Sequence, residues 1–327
     1  MNRLFIFPIA ITVVTLAAVY LWGGLQAFIL AAILSVLEVT LSFDNAVVNA
    51  KVLKRMDEKW QRRFLTWGIL LAVFGTRLVL PILIVSVVVW LTPFAVLSLV
   101  INDSVRYAEL LDQVHPAISA FGGAFLLMVA LKYFFDEAKE IHWIRAIEKR
   151  LAGWGRIEAV EIGLALGLLV ILASVSSTPA AILTAGIVGI ILFIFVEGLA
   201  NSLGSGTALV AGSGLSLFLY LNVLDSAFSL DGVIGAFALT TQLPIIVAGL
   251  GIGAYFVRTM TVYLVRNKTL DNLIYLEHGA HWAILGLAVS MFAGLIVHVP
   301  EIVIGSIGLF FVLLAYISSR RERARSV

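Results

Sequence analysis

The sequence predicts an all-α protein, a polytopic transmembrane helical bundle of about ten helices. Three observations lead there. The 327 residues are 61% hydrophobic and only 13% charged, roughly half the charged share of a soluble chain. Mean hydropathy is +1.06. Apolar runs long enough to cross a bilayer recur from one end of the chain to the other. These runs do not alternate apolar with polar residues, which argues against a transmembrane β-barrel. The absence of cysteine excludes disulfides, thiolate metal sites and cysteine redox chemistry.

Taken in order, transmembrane helices are expected near 4–22, 25–50, 64–91, 117–135, 157–175, 179–199, 207–238, 243–265, 275–297 and 300–318. The first lacks a small-x-small cleavage site and runs straight into another apolar stretch, so it reads as a retained helix rather than a signal peptide. Segment 207–238 is too long for a simple span, and a break within it is expected. Between the fourth and fifth helices, 136–156 is charged and carries Trp143 and Trp154. It reads as an amphipathic helix on the inner membrane face. Its basic residues alternate with Glu140 and Glu148, which argues against a nucleic-acid contact. Gly204-Ser205-Gly206 and Gly212-Ser213-Gly214 read as flexible or tightly packed backbone, since neither is followed by the Gly-Lys-Ser/Thr of a phosphate-binding loop.

Orientation follows from the basic residues. Lys51 to Arg63 holds six, Lys132 to Arg156 six more, and the tail Arg320 to Arg325 four, joined by Arg266 and Lys268. The ten-helix arrangement puts all of them on one side, with Arg106 alone opposite. Both termini are therefore expected in the cytoplasm, the chain lying in a bacterial cytoplasmic (inner) membrane.

A short pattern occurs twice. Glu38-Val39-Thr40-Leu41-Ser42-Phe43-Asp44-Asn45 and Asp225-Ser226-Ala227-Phe228-Ser229-Leu230-Asp231-Gly232 share acid, serine and acid at one constant offset of 187 residues. Both copies lie inside apolar runs, where an ionisable group is expensive and usually functional. In each half the next helix carries an arginine within its apolar length, Arg77 or Arg258. The connections place the two motif helices in opposite directions, the signature of an inverted repeat with matching sites near the midplane. The division that results is 1–24, an N-terminal helix; 25–135, a first three-helix repeat; 136–156, the connector; 157–206, connecting helices; 207–298, a second, inverted three-helix repeat; and 299–327, a last helix with a basic tail.

Four carboxylates at membrane depth would cost about 3 kcal/mol each on insertion scales, so something must offset a total on the order of 10 kcal/mol. Glu38, Ser42, Asp44, Asn45, Asp225, Ser229 and Asp231 offer carboxylate, hydroxyl and amide oxygens, the ligands of hard divalent cations. Such a set favours Mn²⁺, Ca²⁺ or Mg²⁺ over Zn²⁺ or Cu⁺. Glu38 and Asp44 stand about 120° apart on an ideal helix. A local unwinding or π-bulge is therefore expected near Ser42–Asn45, and likewise near Ser229–Gly232. The plainer alternative is that the acids pair with Arg77 and Arg258 in a buried network that fixes helix packing. Four acids against two arginines would still leave excess negative charge. Glu161 and Glu197 read as interfacial carboxylates snorkelling inward, and His278 and His281 as interfacial histidines. Ser42 and Ser229 lack the base that a hydrolase nucleophile needs, and the flanks of Asp44 do not resemble an intramembrane aspartyl protease.

Leu37-Glu38-x-x-x-Ser42-x-Asp44-Asn45-Ala46 resembles the signature of the TerC family, named for tellurium resistance, in the LysE-type transporter superfamily. Supporting matches are Gly75-Thr76-Arg77-Leu78, Gly122 to Leu127, and Tyr275-Leu276 with Gly279. In that family's common form the second aspartate precedes a Ser-Ile-Pro stretch. Here Gly232-Val233-Ile234-Gly235 follows Asp231, and the fifth and sixth helices look inserted, as in a divergent branch. The resemblance implies divalent-metal efflux, especially of Mn²⁺, and for some members tellurite resistance. It carries over to Glu38, Asp44, Asn45, Asp225 and Asp231, and by position to Ser42 and Ser229.

The function expected is a secondary transporter, not an enzyme, that exports a divalent cation in exchange for protons. It would have no resident cofactor and no nucleic-acid partner. Two other readings stand beside it: an exporter of small organic cations such as basic amino acids, and a non-transporting membrane assembly or tellurite-stress protein.

Overall fold

Backbone groups in a lipid-facing apolar run must find their hydrogen bonds within their own segment. The computed structural model describes residues 2–157, 159–202, 210–267, 273–297 and 299–325, and among these the chain is helical with no strand. The helices are α1 Asn2–Leu41, α2 Phe43–Leu53, α3 Glu58–Leu70, α4 Leu80–Val89, α5 Pro93–Asn102, α6 Ser104–Phe134, α7 Arg145–Trp154 and α8 Val160–Val175. They continue as α9 Pro179–Ser202, α10 Val210–Leu239, α11 Leu243–Arg266, α12 Leu276–Gly294 and α13 Glu301–Arg325. A π-helical stretch, Leu71–Val79, joins α3 to α4. Five helical segments are long and apolar enough to cross a bilayer, at Leu4–Leu41, Glu58–Val89, Ser104–Phe134, Pro179–Gly198 and Leu243–Arg266. Large apolar side chains such as Phe7, Leu21, Val87 and Phe195 face outward, as expected of a helical membrane protein.

The element boundaries differ from the expected ones in three places. The first two helices form one hydrogen-bonded run to Leu41, kinked at Gly24 (φ 71°, ψ −165°). An L-residue with a side chain pays heavily for that backbone conformation, so the turn depends on glycine. Beyond residue 91, where no helix was expected before 117, lie α5 and the first half of α6. Both have sequence-level caps: Thr92 accepts from the Ala95 N–H at 3.2 Å, and Asp103 from the Arg106 N–H at 3.1 Å. Among the described residues the break expected within 207–238 is absent, and α10 continues from Val210 to Leu239. Gly204-Ser205-Gly206 lies outside the described residues. Gly214 lies within α10 with its Cα against the Trp60 ring, where a side chain would collide.

Among the helix pairs, α1 and α11 share the most extensive contact. Gly249 and Gly253 allow it: a Cβ on Gly249 would stand 2.5 Å from that of Leu34, and one on Gly253 would fall inside Glu38 Cβ and Cγ. Small residues four apart let two backbones approach closely in a membrane, and here the approach delivers α11 to the first acidic motif. The core of the bundle forms around α6, whose residues 122–130 are all buried between α9, α10 and α12.

Candidate functional site

The first motif helix is interrupted at one residue. Ser42 adopts φ −104° and ψ 14° between α1 and α2, and its hydroxyl donates to Glu38 Oε1 at 3.0 Å. The Asn45 N–H points to Asp44 Oδ1 at 3.0 Å, a side-chain bond at the place where the helical ladder is interrupted. The kink turns Glu38, Ser42 and Asp44 onto one small cavity of about 20 Å³, large enough for roughly one water-sized species. Both carboxylates are 2% exposed.

The second copy closes this cavity by a different route. Phe228 and Gly232 of α10 line it. Gly232 occupies the place that Asn45 holds in the first copy, and a Cβ there would stand 3.2 Å from Glu38 Oε2. The break expected at Ser229–Gly232 is thus replaced by a continuous helix whose glycine lets the carboxylate of Glu38 come close. Ala283 and Leu287 of α12, with Gly308 of α13, complete the wall.

The arginines pair within their own halves. Arg77 lies in the π-helical stretch and pairs with Glu38, while its Nη1 donates to Ala72 O at 2.6 Å. The wide turn leaves that carbonyl able to accept from both Arg77 and the Thr76 hydroxyl, the latter at 2.7 Å. Arg258, 1% exposed, donates to Asp225 Oδ2 at 2.8 Å and reaches Asn222 Oδ1 at 3.4 Å. Its guanidinium lies 4.3 Å from the Phe64 ring centre, in space that Gly68 leaves open.

Of the residues singled out from the sequence, the structure therefore brings together Glu38, Ser42 and Asp44, with Arg77 behind Glu38. Asp225 is engaged by Arg258, and neither it nor Ser229 or Asn45 lines the cavity. Ser229 Oγ and Asn45 Oδ1 are buried without a hydrogen-bond partner. The backbone of Asp231 lies in α10, but its side chain falls outside the described residues. Among the described residues, no three acids or histidines are already grouped to hold a metal, and Asp44 has no cationic partner, whereas Glu38 and Asp225 each have one. Sequence reasoning missed Asn222, one helical turn before Asp225, and Asn49, one turn after Asn45. Asn49 is fully buried and neither its amide oxygen nor its nitrogen has a partner. Both asparagines carried a readable signal, a polar residue at i±3 or i±4 from the motif.

A larger cavity of about 590 Å³ lies next to the Lys51–Arg63 and 136–156 segments. Three helices reach both spaces. Helix α2 runs from the small cavity at Asp44 to the large one at Val48 and Lys51, whereas α10 runs from the large cavity at Leu217 and Tyr220 to the small one at Phe228 and Gly232. The two motif helices are therefore antiparallel. Val48 is one turn from Asp44, about 6 Å along the axis. Helix α12 contributes His281 to the large cavity and Ala283 to the small one.

The connector is pinned at the same end. Glu148 of α7 is fully buried and accepts from His278 Nδ1 at 2.8 Å and Trp282 Nε1 at 3.0 Å, with Lys139 Nζ at 3.3 Å. The backbone N–H groups of Trp143 and Ile144 add bonds of 3.1 and 3.3 Å. Burial acts to raise the Glu148 carboxyl, but the His278 and Trp282 hydrogen bonds together with the charges of His278 and Lys139 hold the group down at about 2. His278 is thus a tether for the connector.

Residues 43–326 match the family model described as "Protein of unknown function (DUF475)". No curated protein and no solved structure matches the chain.

Proposed function

We propose that this chain, which belongs to the DUF475 family, is a secondary transporter that exports a divalent cation from the cytoplasm in exchange for protons, with Mn²⁺ as the first candidate. One observation carries the reading. Asp44, without a cationic partner among the described residues, shares a small cavity of about 20 Å³ with Glu38 and Ser42, one helical turn from a much larger cavity beside the Lys51–Arg63 segment. A buried ionised carboxylate with no counter-charge is costly. A cation or a proton cancels that cost, and alternation between the two is what an exchanger requires. The polar atoms of the lining come from two carboxylates and a hydroxyl, a set suited to a hard divalent ion. Arg77 serves as the counter-charge of Glu38 when no cation is bound, and Arg258 does the same for Asp225. The basic segments Lys51–Arg63 and Lys132–Arg156, which contribute residues to the wall of the large cavity, support a cytoplasmic mouth, and the resemblance of the first motif to the TerC family supports the choice of ion.

The test is flux into proteoliposomes under an imposed pH gradient, comparing Mn²⁺, Ca²⁺, Mg²⁺ and lysine for wild type and Asp44→Asn. Mn²⁺ movement coupled to protons is expected. In Asp44→Asn it should drop to the liposome background, with unfolding free energy within about 1 kcal/mol of wild type because no ion pair is lost. Lysine flux would assign the chain to organic-cation export, against the small size of the cavity. Full transport by Asp44→Asn would sink the site assignment. A second reading, a non-transporting membrane assembly, rests on the two buried ion pairs as packing elements. Folded protein that moves none of the four solutes would favour it.

A further inference from the structure

The connector is held by one side of α7, and its two flanks differ in chemistry. Glu148 is buried against α12, and Leu151, three residues on, packs against the main core. Ile147, Arg150 and Trp154 stand at i, i+3 and i+7, a single row on one flank. All three are exposed, Ile147 at 46% and Trp154 at 50%. Arg145 and Lys149, also exposed, form a row on the other flank, about 150° away on an ideal helix. Lys139 is drawn to Glu148, whereas Arg145, Lys149 and Arg150 have no ion-pair partner among the described residues.

Two contacts fix the level at which the apolar row lies. The Trp154 ring packs on that of Phe135 with centres 6.3 Å apart, and a Cβ on Gly155 would overlap the Phe135 carbonyl oxygen. Phe135 directly follows α6, one of the segments long and apolar enough to cross a bilayer. The end of α7 is therefore level with the end of a span, the boundary at which tryptophan and basic side chains concentrate. Ile157, 59% exposed, carries the row on toward α8, whose Leu164, Val170 and Ile171 also face outward. Between them Arg156 holds its Nε 3.9 Å from Glu137 Oε2, too far for a hydrogen bond, with its side chain open to the surroundings.

We propose that α7 seats an anionic phospholipid of the adjacent leaflet, with Ile147 and Trp154 in the acyl boundary, Arg150 and Arg156 on the headgroup phosphate, and Arg145 and Lys149 facing water. An apolar row that continues into a lipid-facing helix is completed by lipid, and cations set at its centre and end select a negative headgroup. Arginine stems lie along apolar surface while the guanidinium forks onto phosphate. The lipid braces the connector, which supplies Asp136, Glu137 and Gly155 to the wall of the large cavity. The surface does not depend on Asp44 or on the transport reading.

The experiment uses the absence of cysteine. Ile147→Cys gives the full-length protein a single attachment point for a nitrobenzoxadiazole fluorophore. The labelled protein is placed in equimolar bilayers of phosphatidylcholine and phosphatidylglycerol, in which one lipid or the other carries a nitroxide on its acyl chain. Both nitroxide lipids should quench the label. A cation at an anionic leaflet favours binding about fivefold, so labelled phosphatidylglycerol should quench at least about threefold more strongly than labelled phosphatidylcholine. That preference should vanish in Arg150→Gln/Arg156→Gln and persist in Arg145→Gln/Lys149→Gln, which loses the same charge from the other flank. Quenching by phosphatidylcholine retained in both variants shows that α7 is still in place. A label at Leu21→Cys on α1, exposed elsewhere on the bundle, should show no preference. The proposal is overturned by a label at 147 that neither lipid quenches, by equal quenching from the two lipids, by a preference that survives Arg150→Gln/Arg156→Gln or is lost equally in both variants, or by the same preference at Leu21.

Discussion

The Asp225–Arg258 pair offers a quantitative test of how this bundle holds charge in its interior. Its partners are 2.8 Å apart and 5% and 1% exposed. With an effective dielectric near 20 the attraction at that distance is about 6 kcal/mol, part of which offsets the desolvation of both charges. Arg258→Met leaves Asp225 buried and ionised with no other cation paired to it among the described residues, and should cost about 3–5 kcal/mol. Asp225→Asn leaves the guanidinium to Asn222 and to the Phe64 ring, and should cost somewhat less. The double variant Asp225→Asn/Arg258→Met removes both charges together, and should recover about 3 kcal/mol of the summed single losses. The assay is equilibrium unfolding of purified protein in mixed micelles titrated with dodecyl sulfate, read by tryptophan fluorescence for all four proteins. A coupling below about 0.5 kcal/mol would refute the reasoning, since it would mean that neither residue depends on the other for its burial.

Two further predictions concern the approach of helices and the tether of the connector. Gly253→Ala places a Cβ inside Glu38 and should cost about 1–3 kcal/mol by overpacking, with loss of flux. Gly163→Ala on α8, where nothing stands within 4 Å, should be neutral or slightly stabilising; equal losses in the two would remove the close-packing argument. Glu148→Gln leaves Lys139 and His278 without their carboxylate, and should free the connector to limited trypsin cleavage at Lys149 or Arg150 near neutral pH. Because the Glu148 carboxyl is held down at about 2 from an ordinary value of 4.5, its contribution is fully present above pH 4.5 and is lost as pH falls through 2. Cleavage of the wild type should therefore stay slow and independent of Glu148 titration from pH 5 to 8. Rapid wild-type cleavage at pH 5 would contradict the tether.

Much of the fold was legible before any coordinates, because membrane helices announce themselves through composition and length. Apolar runs placed most of the helices, and the capped segments Thr92-Pro93 and Asp103-Ser104 could have placed α5 and the start of α6. The constant offset between the two motifs marked Glu38, Ser42 and Asp44, and helix geometry required the kink now seen at Ser42. What only the tertiary structure decided is which charges meet. A helical period cannot tell that Arg77 turns to Glu38 and Arg258 to Asp225, leaving Asp44 without a cation among the described residues, because those contacts depend on distances between helices. Those distances are set in turn by Gly232, Gly249 and Gly253, whose importance lies in what packs against them. Only the structure shows that α10 runs unbroken through the second motif, with Gly232 where the first motif has Asn45. Local periodicity determined the elements and the candidate acids, and close packing between distant elements determined their partners.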